Sequence, residues 1–305
     1  MPRTLLPVVL AALLTLTPHL AAETPVKSDT YPGADSFDSG WKYDQGLGVT
    51  INMPEAIRAY RTAAAAGNPL AKGRLAMIYF SGNGVPVNKG EAQRFAKGIY
   101  PEVLKSAEKD NAVAQLILSY MYGSGLGVAG DEQEEVKWLR KAADQNLPLA
   151  LADMGVSYEN GIGVEQDQTE AVRYYRKAAD LNSAMAQAYL GDMYRKGQGV
   201  APDIREAVRL YQLGAAQGYA HAQTNLGYMY EHGCVVECDP AEALRLYRLA
   251  AEQNFAVAQF NLGSTYEHGT GVWRNLAEAV RWYRLAAAQG YCPAVKALEC
   301  LGYEP

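Results

Sequence analysis

The sequence predicts an all-α solenoid: about seven stacked helix pairs followed by a C-terminal capping helix. Three observations carry this expectation. A knuckle motif returns at a fixed period, a second marker keeps phase with it, and helical apolar spacing fills the stretches between them. The knuckle reads Tyr-x-x-Gly-x-Gly-Val at 43–49, 79–85, 122–128, 158–164, 194–200 and 266–272, with a variant at Tyr230–Gly233 where Val235 replaces the second glycine. Its first glycines are Gly46, Gly82, Gly125, Gly161, Gly197, Gly233 and Gly269, spaced by 36 residues except for one interval of 43. That exception places a seven-residue insertion around 96–111. Nine residues after each first glycine comes Glu-Ala, from Glu55-Ala56 to Glu278-Ala279, with Glu134-Glu135 in the third copy.

The chain opens with Met1-Pro2-Arg3, an apolar run from Thr4 to Leu16, and Ala21-Ala22 before polar residues. That order of charge, apolar stretch and small residues reads as a secretory signal peptide over 1–22. The run is short and broken by Pro7 and Pro18, so a retained membrane anchor is disfavoured. Residues 23–39 read as a flexible leader, 40–291 as the solenoid and 292–305 as the cap. Within the fifth unit, Ala186, Leu190, Gly191 and Tyr194 form a helical stripe that ends at Gly197. Pro202-Asp203 then opens a second helix that stops at Gly218. One such pair cannot bury its apolar face alone, so stability must come from stacking.

These residues resemble the Sel1-like repeats, relatives of the tetratricopeptide fold. The match is clearest in Ala220-x-Ala222-Gln223-x-x-Leu226-Gly227-x-Met229-Tyr230 and in Trp282-Tyr283-Arg284 with Ala286-Ala287. The resemblance implies a right-handed α/α superhelix that binds other proteins without cofactors or catalysis. Relatives of this kind serve as envelope adaptors or as immunity proteins that neutralise secreted antibacterial effectors. Some cysteine-rich members have been linked to β-lactam binding or hydrolysis.

Twenty-eight basic and 33 acidic side chains give a net charge of −5, with no basic strip to track a phosphate backbone. Nucleic acid is therefore a poor partner. Cys234 with Cys238 and Cys292 with Cys300 are candidate local disulfides in an oxidising compartment. The second pair requires a broken helix, since eight residues of continuous helix span about 12 Å. His232, Cys234 and Cys238 offer only three metal ligands, so no metal site is expected. Ser106-Ala107-Glu108-Lys109 is a formal Ser-x-x-Lys, but Ser-Asp-Asn and Lys-Thr-Gly partners are missing.

The first helix of each unit has a face that varies from copy to copy at i, i+3, i+4 and i+7. On it lie the expected partner-binding residues: Met185, Tyr189 and Asp192; His221, Asn225 and Tyr228; Val257, Phe260 and Asn261. In the second and third units the face carries Leu70, Gly73, Arg74 and Met77, then Val113, Leu116, Ile117 and Tyr120. Ile117 and Tyr120 have a competing role as packing beneath the insertion. The reading is a periplasmic or secreted scaffold, not stably inserted in a membrane, that binds a partner protein through its concave face. An immunity protein is the alternative, and a β-lactam- or glycan-binding or -hydrolysing protein a weaker one.

Overall fold

The computed structural model describes residues 31–304, so the expected signal peptide and the leader up to residue 30 lie outside the described residues. The rest of the leader is structured. Helix α1 (Ala34–Gln45) begins inside it, because Phe37 is buried against Trp41 one turn on and against Tyr60. The described residues form helices and no strands.

Helix α1 pairs with α2 (Met53–Ala65), and α3 (Pro69–Ser81) with α4 (Lys89–Ala96). The inserted residues break the usual second helix at Gly98, which takes φ +77°, and continue as α5 (Tyr100–Ala107). Regular pairs follow: α6 (Ala112–Ser124) with α7 (Glu132–Asp144), α8 (Pro148–Asn160) with α9 (Gln168–Asp180), and α10 (Ala184–Lys196) with α11 (Ile204–Ala216). Helices α12 (Ala220–His232) and α13 (Pro240–Glu252), then α14 (Ala256–His268) and α15 (Leu276–Ala287), complete the stack, and α16 (Cys292–Cys300) packs on α15.

Each repeated residue has a physical task. Every second helix of a unit is capped by an Asn or Asp side chain, from Asn52 to Asn275, that accepts the backbone N–H of the Glu in the Glu-Ala marker. An acid at that position also favours the positive end of the helix. The glycine of Leu-Gly-x-Met-Tyr lets a tyrosine ring lie against the helix backbone. A Cβ on Gly191, Gly227 or Gly263 would stand 2.7–2.8 Å from the ring of Tyr211, Tyr247 or Tyr283. The buried tyrosines at this position donate to acids on the same unit's first helix: Tyr60 to Asp44, Tyr175 to Glu159, Tyr211 to Asp192, Tyr247 to Glu231 and Tyr283 to Glu267, at 2.6–2.9 Å.

A glutamine pair, its first-helix member buried, ties the two ends of most units together. Gln145 donates to Gln115, Gln217 to Gln187, Gln253 to Gln223 and Gln289 to Gln259, at 2.7–2.9 Å. In the fourth unit both positions change together, to Leu151 and Leu181. Replacing both partners by apolar groups leaves no buried amide unsatisfied, whereas replacing one would.

The solenoid also closes on itself. The first knuckle docks on the turn between α11 and α12, where Ile51 N donates to Gln217 O at 2.9 Å. A Cβ on Gly218 would meet Thr50 Cγ2 at 2.8 Å.

The cysteines depart from expectation, since all four are free thiols. Helix α16 runs unbroken from Cys292 to Cys300, which holds that pair far beyond disulfide reach. Cys238 Sγ instead contacts Glu231 O at 3.4 Å, so the sixth knuckle is formed without a cross-link. Val235 there adopts φ +67°, a conformation that β-branched residues disfavour by roughly 1–2 kcal/mol. Its side chain is more than half exposed and gains little burial in return. Val235→Gly is therefore expected to raise thermal stability by about 1 kcal/mol at the midpoint. A lower melting temperature would show that the Val235 side chain contributes more than its backbone costs.

Candidate functional site

The variable face of the first helices does not remain a single open surface. Closure of the first knuckle on the Gln217 turn leaves a cavity of about 520 Å³ on the inner side of the first six units. One phase of the face, Trp41, Met77, Tyr120 and Val156, lines it from the first four units. A second phase contributes Arg74, Asp153 and Tyr189.

Arg74 is buried and holds Asp44 through two hydrogen bonds, Nε to Oδ2 at 2.6 Å and Nη2 to Oδ1 at 3.0 Å. Its guanidinium also lies 5.7 Å from the Trp41 ring. Burial disfavours the Arg74 cation, but Asp44 outweighs that and holds its pKa above the ordinary value. Tyr120 donates to Met77 O at 3.4 Å, and burial pushes its hydroxyl up to about 12.

Asp153 has a different environment. It makes no hydrogen bond or salt bridge to a described residue, and burial pushes its carboxyl up to about 7, with Arg74 opposing and Glu135 adding to the shift. Asp153 keeps some accessible surface and lines the cavity.

The nine expected binding residues divide among four environments. Met185, Tyr189 and His221 line the cavity, with Tyr189 stacked on Tyr175 and set edge-on to His221. Asp192 is buried, accepting from Tyr211 at 2.6 Å and Asn225 at 3.0 Å, with His221 Nε2 at 3.1 Å. Burial raises the Asp192 pKa, but the bonds from His221 and Tyr211 bring it below the usual carboxylate value. Phe260 packs against Tyr283 and Tyr291, while Val257 and Asn261 are half-buried. Tyr228 alone of the nine is exposed, at 45 %, and stacks on His232 with ring centroids 4.0 Å apart.

Ile117 and Tyr120 pack against α3. A Cβ on Gly73 would strike Ile117 Cγ2 at 2.4 Å, and Tyr120 meets Phe80 edge-on. Ser106 is buried at the end of α5 while Lys109 is exposed in the following turn. His232 Nδ1 donates to Tyr228 O at 3.0 Å. Among the described residues, no group of three His, Cys, Asp or Glu side chains could hold a metal.

Two residues escaped the sequence reading. Asp153 holds the same phase in the fourth unit as Arg74, Tyr189 and Asn225 in theirs, and carrying the count through that unit would have exposed it. Trp273, 93 % exposed, stands where other knuckles carry Thr50, Pro86 or Ala129, an apolar outlier visible by alignment of the units.

Seven consecutive Sel1 repeats match residues 38–68, 69–97, 112–147, 148–183, 184–219, 220–255 and 256–291. The chain belongs to the Sel1 repeat family. Two Sel1-fold structures each superpose over 88% of it. One is a protective antigen of uropathogenic Escherichia coli strains (TM-score 0.54, 32% identity), of which the chain covers 56%, little more than half. The other is a Sel1 repeat protein from Oxalobacter formigenes (TM-score 0.58, 29% identity), covered over 76% of its length. An immunity protein from Pseudomonas aeruginosa shares the fold at 23% identity and TM-score 0.51, over 74% of this chain and 83% of its own. No curated protein matches. Sel1 repeats form interaction scaffolds, and their arrangement here leaves one end of the variable face open and the rest folded around the cavity.

Proposed function

We propose that this Sel1 repeat protein is a non-catalytic scaffold, periplasmic or secreted, whose protein partner docks on the open end of the concave face in the sixth and seventh units. The observation that carries the reading is the exposure of Tyr228. Its counterparts Trp41, Met77, Tyr120 and Val156 line the cavity and Asp192 is buried, whereas Tyr228 presents nearly half of its surface to solvent. A half-exposed tyrosine held by stacking on His232 is a rigid, amphipathic anchor of the kind that dominates interfaces. Asn261 and Ser264 on the neighbouring α14 are half-buried and supply polar groups beside it. A cavity of about 520 Å³ suits a small ligand rather than a folded domain, so a protein partner uses the open end.

The test uses the mature chain as bait on a periplasmic extract, with retained proteins identified by mass spectrometry. Tyr228→Ala is expected to weaken capture by about tenfold or more while leaving helicity intact. Equal capture by the variant would move the partner surface elsewhere. A single stoichiometric partner would favour the immunity role, and several weaker ones an adaptor.

A further inference from the structure

The cavity carries an inference that goes beyond the protein-partner reading and does not depend on it. The geometry points to a binding site for a small organic ammonium ion, held by the Asp153 carboxylate among the rings of Tyr120, Tyr189 and Tyr219.

The charge inventory of the cavity sets the sign of the ligand. Two basic side chains line it, and each is already engaged: Arg74 with Asp44, and His221 with Asp192. Asp153 has no hydrogen bond or salt bridge to a described residue, and Glu135 on the cavity wall adds a second carboxylate. A carboxylate partly withdrawn from water and without a direct partner is costly, and a cation supplied from outside reduces that cost. The protein's own cations are not free to do so.

The walls favour an organic cation. Tyr120, Tyr189 and Tyr219 are pocket-lining aromatic rings, and an ammonium group over such faces gains cation–π attraction strengthened by desolvation. Metal ions call for three or more converging ligands, and the described residues contain no such cluster of His, Cys, Asp or Glu. Apolar side chains, Leu116 and Leu149 among them, share the remaining lining with neutral amides and hydroxyls such as Asn182 and Ser119, so the ligand pairs its amine with a hydrocarbon or aromatic body. The volume suits a molecule of amino-acid to drug size.

Calorimetric titration of the full mature chain with phenethylamine and cadaverine, beside the neutral phenethyl alcohol and pentanediol, tests the proposal. At least one amine is expected to bind saturably and about tenfold or more tighter than its neutral counterpart, since each factor of ten is one modest charged contact. Asp153→Asn and Asp153→Ser should both bring amine binding down to the neutral level. Neither removes a partnered group, so helicity and Tyr228-dependent partner capture should persist in both. Equal affinity for amine and alcohol would overturn the proposal, as would amine binding undiminished in both variants. So would the absence of saturable amine binding at a Kd tighter than about 10 mM, or binding of a lysine-containing peptide while both amines fail.

Discussion

Gly199→Val is expected to lower unfolding free energy by about 3 kcal/mol or more, the largest loss foreseen from one residue in a knuckle. Two costs add. Gly199 sits at φ +64°, a region that disfavours β-branched side chains by roughly 1–2 kcal/mol. A Cβ there would also lie 2.1 Å from Gln168 O and 2.4 Å from its carbonyl carbon. Those are backbone atoms at the start of α9, so no rotamer change relieves the clash. Gly48 separates the two costs, because it shares the left-handed conformation at φ +68° but has nothing within 4 Å of its would-be Cβ. Urea unfolding of Gly48→Val should show only the conformational cost, about 1–2 kcal/mol. Equal losses in the two variants would mean that knuckle-to-helix contact between units contributes nothing.

Arg74→Met is expected to cost about 3–5 kcal/mol, because it strands a buried carboxylate. Asp44 has almost no side-chain exposure, and its remaining partner is the Tyr60 hydroxyl at 2.9 Å. Changing Asp44→Leu together with Arg74→Met removes both charges and should recover a large part of that loss. Denaturant titrations of the two variants check this. A single-variant cost below about 1 kcal/mol would show that the pair behaves as a solvent-exposed ion pair.

The periodic part of the fold was legible because each repeated residue answers a local requirement. Gly197 ends a helix in the left-handed conformation, Asp203 caps the next helix, and Gly191 makes room for the Tyr211 ring. Such demands recur in every unit, so the sequence repeats them. Aperiodic features were harder to read. Phe37 precedes the first knuckle and has no counterpart to reveal its helix, so α1 was expected to start later than it does. The docking of Ile51 on Gln217 joins segments four units apart, and nothing in either segment alone announces it.

That closure explains the mixed fate of the expected binding face. Period and phase group these residues on one helix face, but superhelical geometry decides which parts of it remain open. Met185 and Tyr189 turn inward because their helix, α10, lies within the closed turn, while Tyr228 lies at its end and remains exposed. Asp192 reads in the sequence as a polar surface residue, yet it is the acceptor for side chains from two helices, α11 and α12. The expectation for Cys292 and Cys300 departs for a local reason: α16 continues past Pro293, which sits at the start of the helix where its missing N–H costs nothing.

Site-resolved hydrogen exchange at the Ile51 amide tests the closed turn most directly, since the division of the face into cavity and open end rests on it. The amide donates to Gln217 O across the superhelix rather than to its own knuckle. It should therefore exchange at least about a hundredfold more slowly than an unstructured amide, reporting an opening free energy of roughly 3 kcal/mol or more. Exchange of Ile51 at the unprotected rate, with the knuckle bond of Asn52 N to Tyr43 O still protected, would show the solenoid open and leave Asp153 facing solvent.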